Sequence, residues 1–123
     1  MNKLCICALC LLLLAACRPF SSLFGSWEND DRVLTFNSYG TFEIHNKNAL
    51  QVKAFRGTML QKKDILVLLF EEYETAEDGW CSTSGTDLED YKEVLKVSIR
   101  DDQLTTKILA TGKEFTYKRT FPE

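Results

Sequence analysis

The chain has 123 residues, 45% of them hydrophobic and 27% charged, with a net charge of −3. That balance suits one domain, large enough for a core of its own. The acidic excess argues against nucleic acid and against an anionic membrane face as partners, since no Lys/Arg cluster exceeds the pairs Lys62-Lys63 and Lys118-Arg119.

Taken in order, the first stretch is built for export. Lys3 supplies a positive start, and Leu4 to Leu14 is an almost unbroken apolar run. A bilayer span needs roughly 20 residues, so this run has the length of a secretory signal core instead. The small residues Ala15 and Ala16 follow. The four residues Leu14-Ala15-Ala16-Cys17 resemble the cleavage box of bacterial lipoproteins, whose signal is cut just before the Cys. The resemblance implies that Cys17 carries a diacylglyceryl group on sulfur and an acyl chain, such as palmitate, on nitrogen. Each buried methylene contributes about 0.8 kcal/mol, so two or more chains hold the protein firmly on a membrane. Asp after the Cys would resemble an inner-membrane retention signal. Arg18 stands there instead, which favours the outer membrane, facing the periplasm or the surface. An ordinary signal peptide with a coincidental Cys is the alternative. On this reading residues 1–16 are the lipoprotein signal, 17–22 a lipidated tether, and 23–123 the folded domain. Loss of Lys3 with the signal takes the net charge from −3 to −4.

Processing also changes the cysteine count. Cys5, Cys7 and Cys10 leave with the signal and Cys17 is lipidated, so Cys81 is the one remaining thiol. No internal disulfide is then expected, and the fold rests on its core. His45 and Cys81 are the only soft ligands left, too few for a zinc site. No cofactor is expected.

From Leu23 onward the apolar pattern has period two. Ser26 to Glu28 starts a first strand, closed by Asn29-Asp30-Asp31. Arg32 to Phe36 is a second, and Asn37-Ser38-Tyr39-Gly40 a turn. Thr41 to His45 is a third strand, and Asn46-Lys47-Asn48 another turn. Leu50 to Leu60 is a fourth, whose phase slips between Ala54 and Gly57, as a bulge or bend would produce. After Gln61 to Asp64, Ile65 to Tyr73 is a fifth strand. Thr75 to Glu89 reads as a long polar excursion. Tyr91 to Arg100 is a sixth strand, with Leu95, Val97 and Ile99 on one face. Gln103 to Ala110 and Glu114 to Phe121 are the seventh and eighth. No helical stripe persists over three turns. Eight strands joined mostly by tight turns pair in order. Such a meander removes its exposed edges by closing. The expected fold is all-β: an eight-stranded antiparallel up-and-down meander barrel. A sandwich is the alternative.

Several short motifs add to this: Gly25-Ser26-Trp27, Leu34-Thr35-Phe36 followed by Gly40-Thr41-Phe42, Gly57 before a hairpin, and Phe115-Thr116-Tyr117-Lys118-Arg119. Together they resemble the small lipocalin-like (calycin) domains of many bacterial lipoproteins. The resemblance spans Leu23 to Phe121. It implies a barrel with Trp27 at its closed end and a basic residue of the last strand, here Arg119, packed across it. Parity agrees, since Phe115, Tyr117, Arg119 and Phe121 share one face. A buried guanidinium needs a partner, and an indole face suits it. The alternative is a frayed strand end with Arg119 reaching water. The chain is shorter than classical lipocalins and lacks a helix beside the last strand.

Catalytic signals are weak: there is no Ser/His/Asp spacing, P-loop or metal-type motif, and the chain does not read as an enzyme. His45 lies on the polar parity of its strand. The acidic residues around the excursion lack the fixed offsets of a calcium loop. The barrel interior is the natural pocket, for one small apolar ligand or for side chains alone. Its candidate lining is Phe36, Phe42, Phe55, Phe70, Leu95, Val97, Phe115 and Tyr117, with Phe121 beyond. Each aromatic buries about 150–250 Å², so these rings would fill much of a small barrel.

The run Ile65 to Phe70 is apolar on both faces. Its outer residues Ile65, Val67 and Leu69 call for a cover, either the excursion with Trp80 or a partner protein. Two functions stay open. One is an envelope lipoprotein binding a small apolar ligand. The other is an envelope protein-interaction module with a filled interior, including a lysozyme-inhibitor-like version, although that family usually carries a disulfide that this chain cannot form.

Overall fold

A four-residue strand closes this molecule. The computed structural model describes residues 23–49 and 51–120, and all of their regular structure is β. Nine strands occur: β1 Gly25–Glu28, β2 Arg32–Phe36, β3 Thr41–Asn46, β4 Val52–Lys62, β5 Ile65–Thr75, β6 Gly79–Ser82, β7 Lys92–Arg100, β8 Gln103–Ile108 and β9 Glu114–Thr120. Neighbours pair antiparallel in chain order, with β5 passing directly to β7, and β1 pairs with both β2 and β9. The result is a closed eight-stranded meander barrel with β6 outside the ring. The sandwich alternative is thereby excluded, because β4–β5 and β1–β9 pairings join one continuous sheet to itself.

The local chemistry explains the turns. Between β2 and β3, Gly40 has φ 91° and its N–H donates to the Asn37 carbonyl at 3.1 Å, while Asn37 Nδ2 donates to Thr41 Oγ1 at 2.9 Å. The β4–β5 and β7–β8 hairpins turn at Lys63 and Asp101, each with φ 57°, a left-handed conformation that a single turn residue can hold.

The structure corrects the sequence reading at the excursion. A short strand, β6, lies within it and pairs with the far end of β5 from Glu72 to Thr75. Strand-forming Trp80 and Cys81 sit amid polar neighbours, too brief an island for alternation to register. The strand β5 therefore runs two residues past Tyr73, and β8 ends at Ile108 rather than Ala110. Leu50 and Phe121 lie outside the described residues.

The phase slip in the fourth strand is resolved by two irregularities in the β4–β5 ladder, between Val52 and Ala54 and between Arg56 and Gly57. The first leaves Lys53 extra on β4. The second leaves Glu71 extra on β5. Between them the inner face is handed to Phe55, Gly57 and Met59. Gly57 sits where the two backbones crowd: a Cβ there would lie 1.9 Å from the Leu69 carbonyl oxygen and 3.0 Å from its carbon. Inside the ring, Leu23, Trp27, Leu34, Phe36, Leu66 and Leu104 anchor one contiguous core.

Gly57→Ala therefore has no way to relax without parting the β4–β5 ladder. It should destabilise the protein by more than about 3 kcal/mol in denaturant unfolding, whereas an ordinary strand glycine would be improved by alanine.

Candidate functional site

The barrel has a narrow end and a wide end. At the narrow end Trp27 is fully buried, and its Nε1–H donates to the Leu23 carbonyl at 2.9 Å. Trp27 pairs directly with Arg119 across the β1–β9 seam, so both side chains share the inner face. The Arg119 guanidinium carbon lies 4.0 Å from the indole ring centroid, and Nη1 donates to the Phe24 carbonyl at 3.2 Å. Asp102 approaches Nε at 3.7 Å from the rim. The Arg119 side chain is 18% exposed, so it is a packed residue and not a frayed end reaching water. This constellation closes the floor. It is structural in character, since every group on it is already engaged.

Above the floor the interior is full. Phe36, Phe42, Phe70, Leu95, Val97 and Tyr117 are all buried. Phe70 meets Phe42, Phe55 and Tyr91 edge-on at centroid distances of 5.3, 5.2 and 5.2 Å, the geometry favoured by aromatic quadrupoles. The space left among Leu34, Phe36, Leu68, Leu95 and Thr106 is about 20 Å³, room for about one water and no ligand. Of the candidate lining residues, Phe55 and Phe115 differ in being only half-buried. Both lie toward the wide end.

At that wide end a cavity of about 260 Å³ opens, lined by Arg32, Ile44, Asn46, Phe55, Phe70, Leu88, Tyr91 and Glu93. Arg32 begins β2 and shares the inner face with Leu34 and Phe36. Glu93, in β7, shares it with Leu95 and Val97. Both also border the small residual space below. The Arg32 guanidinium sits 5.5 Å from the Phe115 centroid and is near enough to the Tyr117 hydroxyl to act on its ionisation. Burial pushes the Tyr117 phenol up, against the lowering effects of the Arg32 charge and of hydrogen bonds to Arg32 and Thr106. Burial likewise pushes the Glu93 carboxyl up, and the Arg32 charge only partly offsets it. The Tyr91 phenol rises through burial and the nearby Glu93. Among the described residues, Arg32 and Glu93 form no ion pair within 4.0 Å. Two opposite charges thus face one cavity without direct contact.

Larger concavities lie on the outer wall. One, of about 590 Å³, runs along Glu28 to Asp30, Lys47 and the outer side of β9. Another, of about 430 Å³, lies between Tyr39, Glu43, Arg56 and Glu72. Both are shallow grooves between exposed side chains. Unlike these outer grooves, the mouth joins several aromatic rings to inward-facing charges, which is the usual make-up of a small-molecule site.

The outer candidates fall into two separate places. Ile65, Val67 and Leu69 are half-buried on the outer face of β5. Trp80 pairs with Glu74, several residues further along the strand, and its ring packs 4.0 Å from the Arg56 guanidinium. Arg56 in turn donates from Nε to Glu72 at 2.8 Å. Trp80 is therefore not a cover for Ile65 to Leu69. The excursion goes to the mouth instead, because Thr83 is tied to the Phe70 and Glu71 carbonyls. Cys81 is half-buried, its Sγ 3.7 Å from the Gly79 carbonyl. His45 is exposed beside Glu43 at 3.3 Å. Among the described residues no acidic, His or Cys group could hold a metal ion. Cys17 lies outside the described residues.

Sequence reasoning missed Arg32, Glu93, Leu88 and Tyr91. For the first two the signal was available: each stands two positions from an inward apolar residue on its own strand. For the last two it was not, because their positions depend on how the excursion folds. No family model, curated protein or solved structure matches the chain.

Two expectations follow. Trp27→Ala should destabilise by about 3–5 kcal/mol and Arg119→Ala by less. The double variant should fall short of their sum by about 0.5–3 kcal/mol, read as a coupling energy in denaturant unfolding of all four proteins. The second concerns Glu93. A carboxyl raised in the folded state contributes stability that is present below its unfolded pKa and lost as pH rises through the folded value. Wild type should therefore lose stability between acid and neutral pH on Glu93's account. Glu93→Gln should remove that slope and melt at or above wild type at pH 7.

Proposed function

We propose that this protein is a lipid-anchored lipoprotein of a bacterial envelope, with a lipocalin-like barrel that binds a small, mainly apolar molecule at its open end. The observation that carries the binding part is the 260 Å³ mouth cavity, walled by Phe55, Phe70 and Tyr91. The filled interior below it supports a ligand held at the rim rather than deep in the barrel. A cavity of about 260 Å³ lies just below the roughly 300–1,000 Å³ usual for ligand pockets, which suits a small molecule.

The anchor rests on Cys17 and the residues before it, and the fold gives it a consistent geometry. Leu23 enters at the narrow end, beneath Trp27. Six residues, 17–22, reach at most about 20 Å. On this reading a lipid on Cys17 would hold the closed floor nearer the membrane than the mouth. That orientation favours a soluble ligand over a bilayer lipid.

One observation favours the second reading, a protein-interaction module. Leu60, Val67 and Val94 stand side by side on the outer face across three paired strands. Leu60 is 75% exposed, and Leu109, whose N–H bonds the Val94 carbonyl, is 47% exposed. Such an apolar row invites a partner.

Cys17→Ser should move the protein from the detergent phase to the aqueous phase in a Triton X-114 partition. If the variant stays in the detergent phase, the anchor is elsewhere. Native mass spectrometry of the exported protein separates the two functions. A bound small molecule at one equivalent per chain supports the mouth, while a stable complex with an envelope protein and an empty mouth supports the outer row.

A further inference from the structure

Taking the mouth as the binding site, we infer that it selects a zwitterionic ligand of the α-amino-acid kind. Its apolar body would rest on Phe55, Phe70 and Tyr91, its carboxylate would meet Arg32, and its ammonium group would meet Glu93. Three observations carry this. First, the two charges are of opposite sign and both line the same cavity with these three rings. Second, they do not neutralise each other through a direct ion pair. A charge turned into a barrel at this depth is unfavourable without a partner, and a ligand bearing both complementary charges would serve each of them.

Third, neither charge is consumed by its present contacts. Arg32 has five N–H donors in a planar fork, more than the neighbouring Tyr117 oxygen alone could occupy. A carboxylate meets a guanidinium well in a two-pronged arrangement. Glu93, by contrast, sits among aromatic rings, an environment that attracts an ammonium group through both the carboxylate and the ring faces. A purely cationic ligand would be opposed by Arg32, and a purely anionic one by Glu93. The net charge of the two groups is zero, and so is that of the ligand.

The inference rests on the mouth reading, and the test keeps the two apart. The full chain would be purified from membranes into lipid nanodiscs, with empty nanodiscs as the blank. Four probes of nearly one size would be titrated by calorimetry: L-phenylalanine, phenethylamine, 3-phenylpropionate and the neutral 2-phenylethanol. L-phenylalanine should bind at least tenfold more tightly than any of the other three. Glu93→Gln should bring it to within threefold of 3-phenylpropionate, and Arg32→Gln to within threefold of phenethylamine. The ranking on the unaltered protein stands even if a variant folds poorly. Similar binding of all four probes would overturn the zwitterion inference while leaving the mouth as an apolar site. A preference for a singly charged probe would overturn it also. If none of the four binds, the mouth reading itself falls, and the inference with it.

Discussion

The structure depends on one non-local pairing, that of β1 with β9. Every other ladder in the ring joins strands that are neighbours in the chain or, for β5 and β7, nearly so. Without the seam the meander would present β1 and β9 as open edges, each a row of unpaired backbone groups ready to template aggregation. The seam is short, three residue pairs from Ser26↔Thr120 to Glu28↔Lys118. Its strength comes from side chains. Trp27 fills the floor and hydrogen-bonds the chain before β1, while Arg119 stacks on the indole and bonds the Phe24 carbonyl. One arginine thus ties the last strand to the first strand and to the residues leading into it. Closure over so long a separation costs entropy that rises only with the logarithm of loop length, so a few well-packed groups suffice to hold it.

Once closed, eight strands enclose a space that large side chains almost fill. At the floor and middle they do, leaving about 20 Å³ among Leu34, Phe36, Leu68, Leu95 and Thr106. The mouth follows a different logic. Arg32 and Glu93 occupy inward positions that leucine or phenylalanine could fill, and burial works against the Glu93 charge. Apolar residues there would extend the core and remove a desolvation penalty. Groups held in an unfavourable ionisation environment inside a cleft are the ones most often concerned with ligands. The two ends thus differ in kind: the floor is closed by packed and hydrogen-bonded groups, while the mouth carries inward charges that burial opposes.

Much of the fold was legible in period-two alternation. Arg32 to Phe36, Thr41 to His45 and Glu114 onward are clean examples, and tight turns between them leave little choice but a meander. The bulge region of β4 was also visible, because Val52 and Ala54 cannot share a face with Phe55, Gly57 and Met59 without an extra residue. Two things were hidden. The short strand β6 has only Trp80 and Cys81 to mark it. The inward charges run against the usual placement of polar strand residues at solvent, although strand parity sets Arg32 and Glu93 with the core. Trp80 is the converse case. In sequence it is one of two candidate covers for the apolar face of Ile65 to Leu69, the other being a partner protein, and the structure instead sets its ring 4.0 Å from the Arg56 guanidinium, which Glu72 holds.

The mouth owes its far wall to an irregularity in β5. The extra residue at Glu71 interrupts the ladder with β4, and a bulge leaves backbone groups in need of partners. Thr83 supplies them. Its N–H donates to the Glu71 carbonyl at 2.9 Å, and its buried hydroxyl lies 3.0 Å from that oxygen and 3.2 Å from the Phe70 carbonyl. The excursion is pinned there, and a series of short turns then returns the chain through Leu88 to Tyr91, whose carbonyl accepts from the Phe70 N–H at 3.1 Å. The Tyr91 ring meets the Phe70 ring from the same anchorage. The bulge thus bends the sheet, captures the loop and sets the aromatic wall opposite Arg32. A loop that looked in sequence like a solvated insertion is held by a buried threonine, and its purpose in the architecture is to complete the rim of the cavity.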